Sequence, residues 1–363
     1  MAIGHRLLVA FLTSILICYS TAGETPKSGW KVMKDPAKAG WSPAKLKAAL
    51  DFATTSGSSA LMVVEDGVIG AQTGDTSRKI SSYSIRKSLI SALYGIYSSE
   101  GVININETLE QFDIDDNPPS LTNGERQAKI VDLLRARSGV YHPVDFETQH
   151  MIAIRPGRGS HPPGTFWYYN NWDFNVLGTV LERTTGLSIG EAFYRRIAKP
   201  IGMQDFKPED VYYIDGPISR YRAYHFEITA RDLARFGLLY LSNGRWDNKQ
   251  VVPAAWVEKN ESANEMIRWH DADAGGYENL WWLEYKGSHL FGNGLPAGAY
   301  AANGAGVHVV MVIPSRRLVI VSRVANDPSQ KDPRTVTTFA EHTIVSTIKM
   351  GEIIRMILAA QNQ

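Results

Sequence analysis

The chain has 363 residues, with 38 basic and 37 acidic side chains and 44% hydrophobic residues. That balance excludes charge-driven binding to nucleic acid or to an anionic membrane, and the composition is that of a compact globular protein. One cysteine, Cys18, excludes intramolecular disulfides and a cysteine-based zinc site, while at about 150 residues per domain the length allows two structural units.

Residues 1–23 read as a secretory signal peptide. Arg6 precedes an apolar run from Leu7 to Tyr19, and the small residues Ser20, Thr21, Ala22 and Gly23 follow. The run is too short for a membrane span of about 20 residues. Removing it takes away Arg6 and Cys18, leaving 37 basic and 37 acidic residues and no cysteine. The expectation is an exported protein, secreted or periplasmic, without a stable membrane anchor. Its core alone must hold it together.

Ser42-Pro43 opens the first helix with a capping serine and a proline in the first turn. Residues Ala60 to Val64 and Val68 to Ala71 flank Asp66-Gly67, a hairpin signal. The middle, about 85–260, reads as mainly helical, with Ile85–Glu100, Ile130–Arg135, Asn171–Thr185 and Thr229–Ser242 as the clearest segments. Gly101 and Gly186 stand where helix C-caps belong. Val307 to Ile313 and Leu318 to Val324 form a second hairpin, followed by an amphipathic helix from about Thr335 to Ala360. Both chain ends therefore feed one antiparallel sheet. The expected organisation is a single domain, 24–363, of two lobes: a sheet lobe (about 24–83 plus 265–363) and a helical lobe (about 84–264).

The pattern Ser-x-x-Lys puts a hydroxyl and an amine one helical turn apart on one face. A lysine in a dry site, or beside other cations, can lose its proton and take one from the serine. The pattern occurs at Ser28/Lys31, Ser42/Lys45, Ser84/Lys87 and Ser346/Lys349. Only Ser84 starts a helix directly after a polar turn, Ser81-Ser82-Tyr83, and runs into an apolar face of Leu89, Leu93 and Ile96. Spacing alone leaves a helix-capping serine open as the alternative. His142, His150 and His161 lie close together, but no spacing among them matches a helical metal site. No metal or other cofactor is expected.

Ser84-Ile85-Arg86-Lys87-Ser88, with the helix it opens, is joined by Leu133-Leu134…Ser138-Gly139, by Pro163 to Gly178, by Ile228 to Gly237 and by Leu280-Trp281-Trp282. In that order they resemble the serine β-lactamase and penicillin-binding-protein superfamily, in its class C-like branch with esterases and aminohexanoate-oligomer hydrolases. The resemblance spans nearly the whole chain after the leader and implies an α/β fold of the α+β type. The Tyr-x-Asn element fits Tyr168-Tyr169-Asn170 or Tyr169-Asn170-Asn171, and Tyr277-Glu278-Asn279 is a third match. The family spacing from Gly164, and a helical pattern beginning at Asn171, select Tyr169 and Asn171.

The resemblance implies that Ser84 attacks a carbonyl and forms an acyl-enzyme. Lys87 and Tyr169 would share the base role, a nearby ammonium lowering the phenol. Asn171 would hold the lysine and the substrate amide. The backbone N–H groups of Ser84 and Ala305 would form the oxyanion hole, and Asn303, Gly304, His308 and Tyr168 would line the substrate cleft. Where the family carries Lys or His in its third motif, Ala302 begins Ala302-Asn303-Gly304-Ala305-Gly306. The implied function is a serine hydrolase acting on a small ester, amide or β-lactam. Two alternatives stay open: a D-alanyl carboxypeptidase or β-lactamase, and a non-catalytic binding protein of the same fold.

Overall fold

A computed structural model describes residues 25–325, apart from 28 and 262, and residues 346–361. The expected leader, residues 1–23, lies outside the described residues. So does the first part of the expected terminal helix, whose described portion is Thr347–Ala360.

Continuous apolar, largely β-branched runs at the two ends, Met62-Val63-Val64, Val309 to Ile313 and Leu318 to Val321, form the centre of one eight-stranded sheet. Its order is Lys31–Val32, Val68–Gly74, Ala60–Glu65, Leu318–Arg323, His308–Ile313, Tyr300–Gly304, Trp281–Leu283 and Gly276–Glu278. Every pairing is antiparallel except that of Lys31–Val32 with Val68 and Ile69, which is parallel. The first hairpin closes through Asp66 (φ 51°) and Gly67 (φ 84°), the positive angles a tight two-residue turn needs. In His308–Ile313 and Leu318–Arg323 every residue is buried, so both faces of these strands are covered. The helix Ala230–Leu241 covers one face. Its Gly237 fits against Val310 and Val319, where a methyl group would meet the Val319 side chain at 2.5 Å. The helices Pro43–Thr55 and Thr347–Ala360 pack on each other.

Between the two parts of the sheet runs the segment expected to be mainly helical. It contains the buried helix Ile85–Ser99 and the helix Asn171–Thr185, which ends at Gly186 in the left-handed conformation (φ 66°). It also contains a sheet the sequence reading did not anticipate. Ile80–Ser81 and Val211–Ile214 both pair with Ala223–Ile228. That small sheet abuts the start of Ile85–Ser99 and positions the turn before it. Among the described residues no helix is long and apolar enough to cross a membrane.

Candidate active site

The turn carrying Ser84 is tied down before the helix begins. Ser82 N–H donates to the Phe226 carbonyl (2.7 Å), and Phe226 N–H donates to Ser82 Oγ (3.2 Å). Tyr83 is then forced into the left-handed region (φ 45°), a conformation that costs on the order of 1 kcal/mol for a side chain of its size. The helix starts with short-range bonds from Ile85 N–H to the Ser82 carbonyl and from Lys87 N–H to the Ser84 carbonyl. Ser84 occupies the cap position, yet its hydroxyl bonds to no backbone N–H of the helix. The capping alternative is thereby excluded for this serine.

One turn along, Lys87 is buried with its Nζ 2.7 Å from Ser84 Oγ and 2.7 Å from the Tyr169 hydroxyl. The amine also lies over the Tyr169 and Phe174 rings, 4.3 and 4.6 Å from their centroids. Burial, and after it the Arg86 guanidinium, hold Lys87 well below the usual lysine value, which favours its basic, unprotonated form. Burial pushes the Tyr169 phenol up to about 12, against the opposing pulls of the Ser84 hydroxyl and Arg86. The expectation of a phenol lowered by a neighbouring ammonium is thus reversed. In a site this dry both groups are driven toward their neutral forms.

Tyr169 owes its place to the loop it ends. Tyr168 N–H donates to the Ala136 carbonyl (2.9 Å), and Asn170 caps the next helix by accepting from Asp173 N–H (2.9 Å). Of the two overlapping Tyr-x-Asn registers, the one with Tyr169 brings a hydroxyl to Lys87. Asn171 lines the pocket beside Ser84 but does not reach the lysine. Its side-chain amide donates to the Phe146 carbonyl, and among the described residues its buried Oδ1 has no hydrogen-bond partner. Tyr168 instead donates its hydroxyl to the Met151 carbonyl (2.9 Å).

Opposite Ser84, the strand Tyr300–Gly304 ends in the turn Ala305-Gly306-Val307. Ala305 lines the pocket with Ser84. Among the described residues neither Ser84 N–H nor Ala305 N–H donates to a backbone carbonyl. His308 is buried behind Tyr83, with ring centroids 5.0 Å apart, and does not line the pocket; Asn303 is half-buried on the strand and does not line it either. Burial, helped by Arg323, holds His308 well below the usual histidine value.

The pocket at Ser84 is small, about 30 Å³. Sequence reasoning missed two of its charged or titratable lining residues, Arg86 and His225. Arg86 stood inside the quoted motif without a role, and His225 comes from the unanticipated small sheet. Beside the pocket, Tyr169 packs against Trp269 and Trp282, with ring centroids 5.3 and 5.4 Å away. Among the described residues no cluster of His, Cys, Asp and Glu could hold a metal ion. His150 instead stacks on His270, and His161 on Phe166.

The beta-lactamase family model matches residues 60–342, well over half of the chain. The chain belongs to the beta-lactamase family. Membership makes it a serine hydrolase in kind, and solved beta-lactamase-like structures share its fold. A Bacillus anthracis protein assigned as a 6-aminohexanoate-dimer hydrolase superposes with a TM-score of 0.64 at 20% identity, covering 92% of this chain and 87% of its own. A family VIII carboxylesterase gives 0.58 at 14% identity, covering 88% of this chain and 97% of its own. A penicillin-binding protein homologue from Caulobacter crescentus gives 0.58 at 13%, covering 86% and 99%. At these identities the likeness is one of fold. No curated protein matches the chain.

Proposed function

We propose that this beta-lactamase-family protein cleaves a small ester or amide through an acyl-enzyme on Ser84. The observation carrying the reading is the position of Lys87 Nζ, 2.7 Å from both Ser84 Oγ and the Tyr169 hydroxyl, in a buried setting that disfavours its charge. Lys87 takes the Ser84 proton as Oγ bonds to the substrate carbonyl carbon. The oxyanion so formed is received by Ser84 N–H and Ala305 N–H, each such donor being worth on the order of a hundredfold in rate. Tyr169, protonated because burial holds its phenol near 12, donates to the departing alkoxide or amine and is reprotonated by Lys87. Water then adds to the acyl-enzyme by the same proton path in reverse, releasing the acid and free Ser84.

The names of the structural neighbours span ester, amide and penicillin chemistry. Ala302, buried on the strand at the third-motif position, offers no cation from that strand to a β-lactam carboxylate. Esters and open-chain amides are therefore favoured over β-lactams, and nitrocefin turnover matching ester turnover would reverse that preference. Export follows from Arg6, the apolar run and the small residues after it. The N-terminus of protein recovered outside the cytoplasm should begin close to residue 24.

A fluorophosphonate probe should label Ser84, seen by intact mass and peptide mapping. Labelling that survives Ser84→Ala would refute the nucleophile. If an ester and amide panel gives no Ser84-dependent turnover while a ligand still raises Tm, the chain is a binding protein of this fold.

A further inference from the structure

Arg86 is one of the most deeply buried charged side chains of the protein, 2% exposed, and it lines the pocket at Ser84. Its Nη2 donates to Asn175 Oδ1 (2.9 Å), and its guanidinium lies over the Tyr224 ring, 4.3 Å from the centroid. Both partners are neutral. Among the described residues no carboxylate pairs with it, and its buried Nη1 has no hydrogen-bond partner. A buried guanidinium without a counter-ion is costly, and an unused buried donor calls for a partner.

A second observation comes from another element. His225, on the strand Ala223–Ile228, lines the same pocket at 4% exposure, and among the described residues neither ring nitrogen has a hydrogen-bond partner. Its ring stacks against Tyr212 and lies near Phe146, contacts that fix the plane without using the nitrogens. The pocket volume, about 30 Å³, has room for roughly two water-sized groups, the size of the two oxygens of a carboxylate. Asn171 Oδ1, an acceptor on the same pocket, suits an N–H of the substrate rather than an anion.

We infer that this pocket receives a carboxylate carried on the substrate close to the scissile carbonyl, with Arg86 as its counter-ion and His225 as a second hydrogen-bond donor. The substrate class is then a half-ester or half-amide of a short dicarboxylic acid. This inference rests on the hydrolase reading above and narrows it. Hydrogen bonds to charged groups in a desolvated site discriminate strongly, because a neutral isostere leaves the guanidinium unpaired.

The test compares monoethyl succinate with ethyl butyrate, which replaces the carboxylate by a methyl group, using a pH-stat. The wild type should show kcat/KM about tenfold or more higher for the anion, mainly through a lower KM. Arg86→Gln should reduce that preference to about twofold or less, read as the ratio of kcat/KM for the two esters so that any loss common to both cancels. Succinate should protect Ser84 from the fluorophosphonate, and succinamide at the same concentration should not; this arm needs no variant to fold. Equal or better turnover of ethyl butyrate, a preference that persists in Arg86→Gln, or equal protection by succinamide overturns the carboxylate pocket. If Ser84 is labelled but no preference appears, only this inference fails. If neither ester is turned over and Ser84 is not labelled, the hydrolase reading falls with it.

Discussion

A methyl group placed on Gly304 would come within 2.7 Å of the Ser82 carbonyl oxygen and 3.2 Å of Tyr83 Cβ. Gly304 is the last residue of its strand, directly before Ala305, and Ser82 and Tyr83 directly precede Ser84. The two halves of the proposed oxyanion hole therefore meet across a contact that only glycine permits. Gly304→Ala should force them apart, costing about 1–3 kcal/mol in stability and about tenfold or more in kcat/KM. Gly157→Ala, where the added methyl would meet nothing within 4 Å, serves as the control. Denaturation midpoints and ester kinetics on both variants check this, and wild-type kinetics in Gly304→Ala would sink it.

A second prediction follows from the opposite displacements of Lys87 and Tyr169. If Lys87 is the base, kcat/KM climbs as Lys87 loses its proton, and the plateau is reached well below the ordinary lysine value. Tyr169, held near 12, stays protonated across that plateau. Tyr169→Phe should lower kcat about a hundredfold for a poor leaving group and leave the acid limb where it was. Disappearance of that limb in Tyr169→Phe would transfer the base role to the phenol.

Much of this site was legible because its members share a helix or a short loop. Ser84 and Lys87 lie three residues apart on one helical face, and the family spacing from Gly164, with the helical pattern beginning at Asn171, picked out Tyr169. The hairpin at Asp66-Gly67 was equally plain, since its turn demands residues that accept positive φ. Arg86 and His225 left no such signal. They are 139 positions apart in the sequence, and what makes them interesting, burial without a polar partner, is a property of packing. The small sheet that delivers His225 escaped notice because Ile80–Ser81 is two residues long and Val211–Ile214 four, too short for a period of two to stand out. The phenol shift was read with the wrong sign because spacing reveals a neighbouring amine but not that both groups are dry.

A third prediction concerns what Lys87 costs the fold. Its folded-state value is depressed, so the unfolded chain binds the extra proton and stability is reduced at every pH below the ordinary lysine range. Lys87→Met fills similar space without a charge to desolvate. It should abolish turnover and raise stability at neutral pH by about 0.5–2 kcal/mol, with the gain shrinking as pH rises toward 10. Urea midpoints at pH 7 and pH 10 test this; a variant less stable than the wild type at pH 7 contradicts the depressed lysine.

The last prediction lies away from the site, at His289. This ring is 1% exposed; its Nε2–H donates to the Trp282 carbonyl (3.3 Å), and its Nδ1 accepts from Phe291 N–H (3.2 Å). Both nitrogens are thus committed in the neutral tautomer, and a proton on Nδ1 would displace the Phe291 bond. Burial accordingly lowers this histidine to about 4. In the unfolded chain it titrates near 6.5, so between about pH 6.5 and 4 the unfolded state takes up a proton that the folded state refuses. Stability must fall as the pH drops through that window, by about 3 kcal/mol in all from this one group. His289→Gln can keep one donor and one acceptor without titrating, so its stability should depend less on pH. His225 and His308 are present in both proteins and cancel in the comparison. Urea midpoints at pH 7 and pH 4.5 measure the difference, and parallel pH slopes for wild type and variant would remove His289 as the cause.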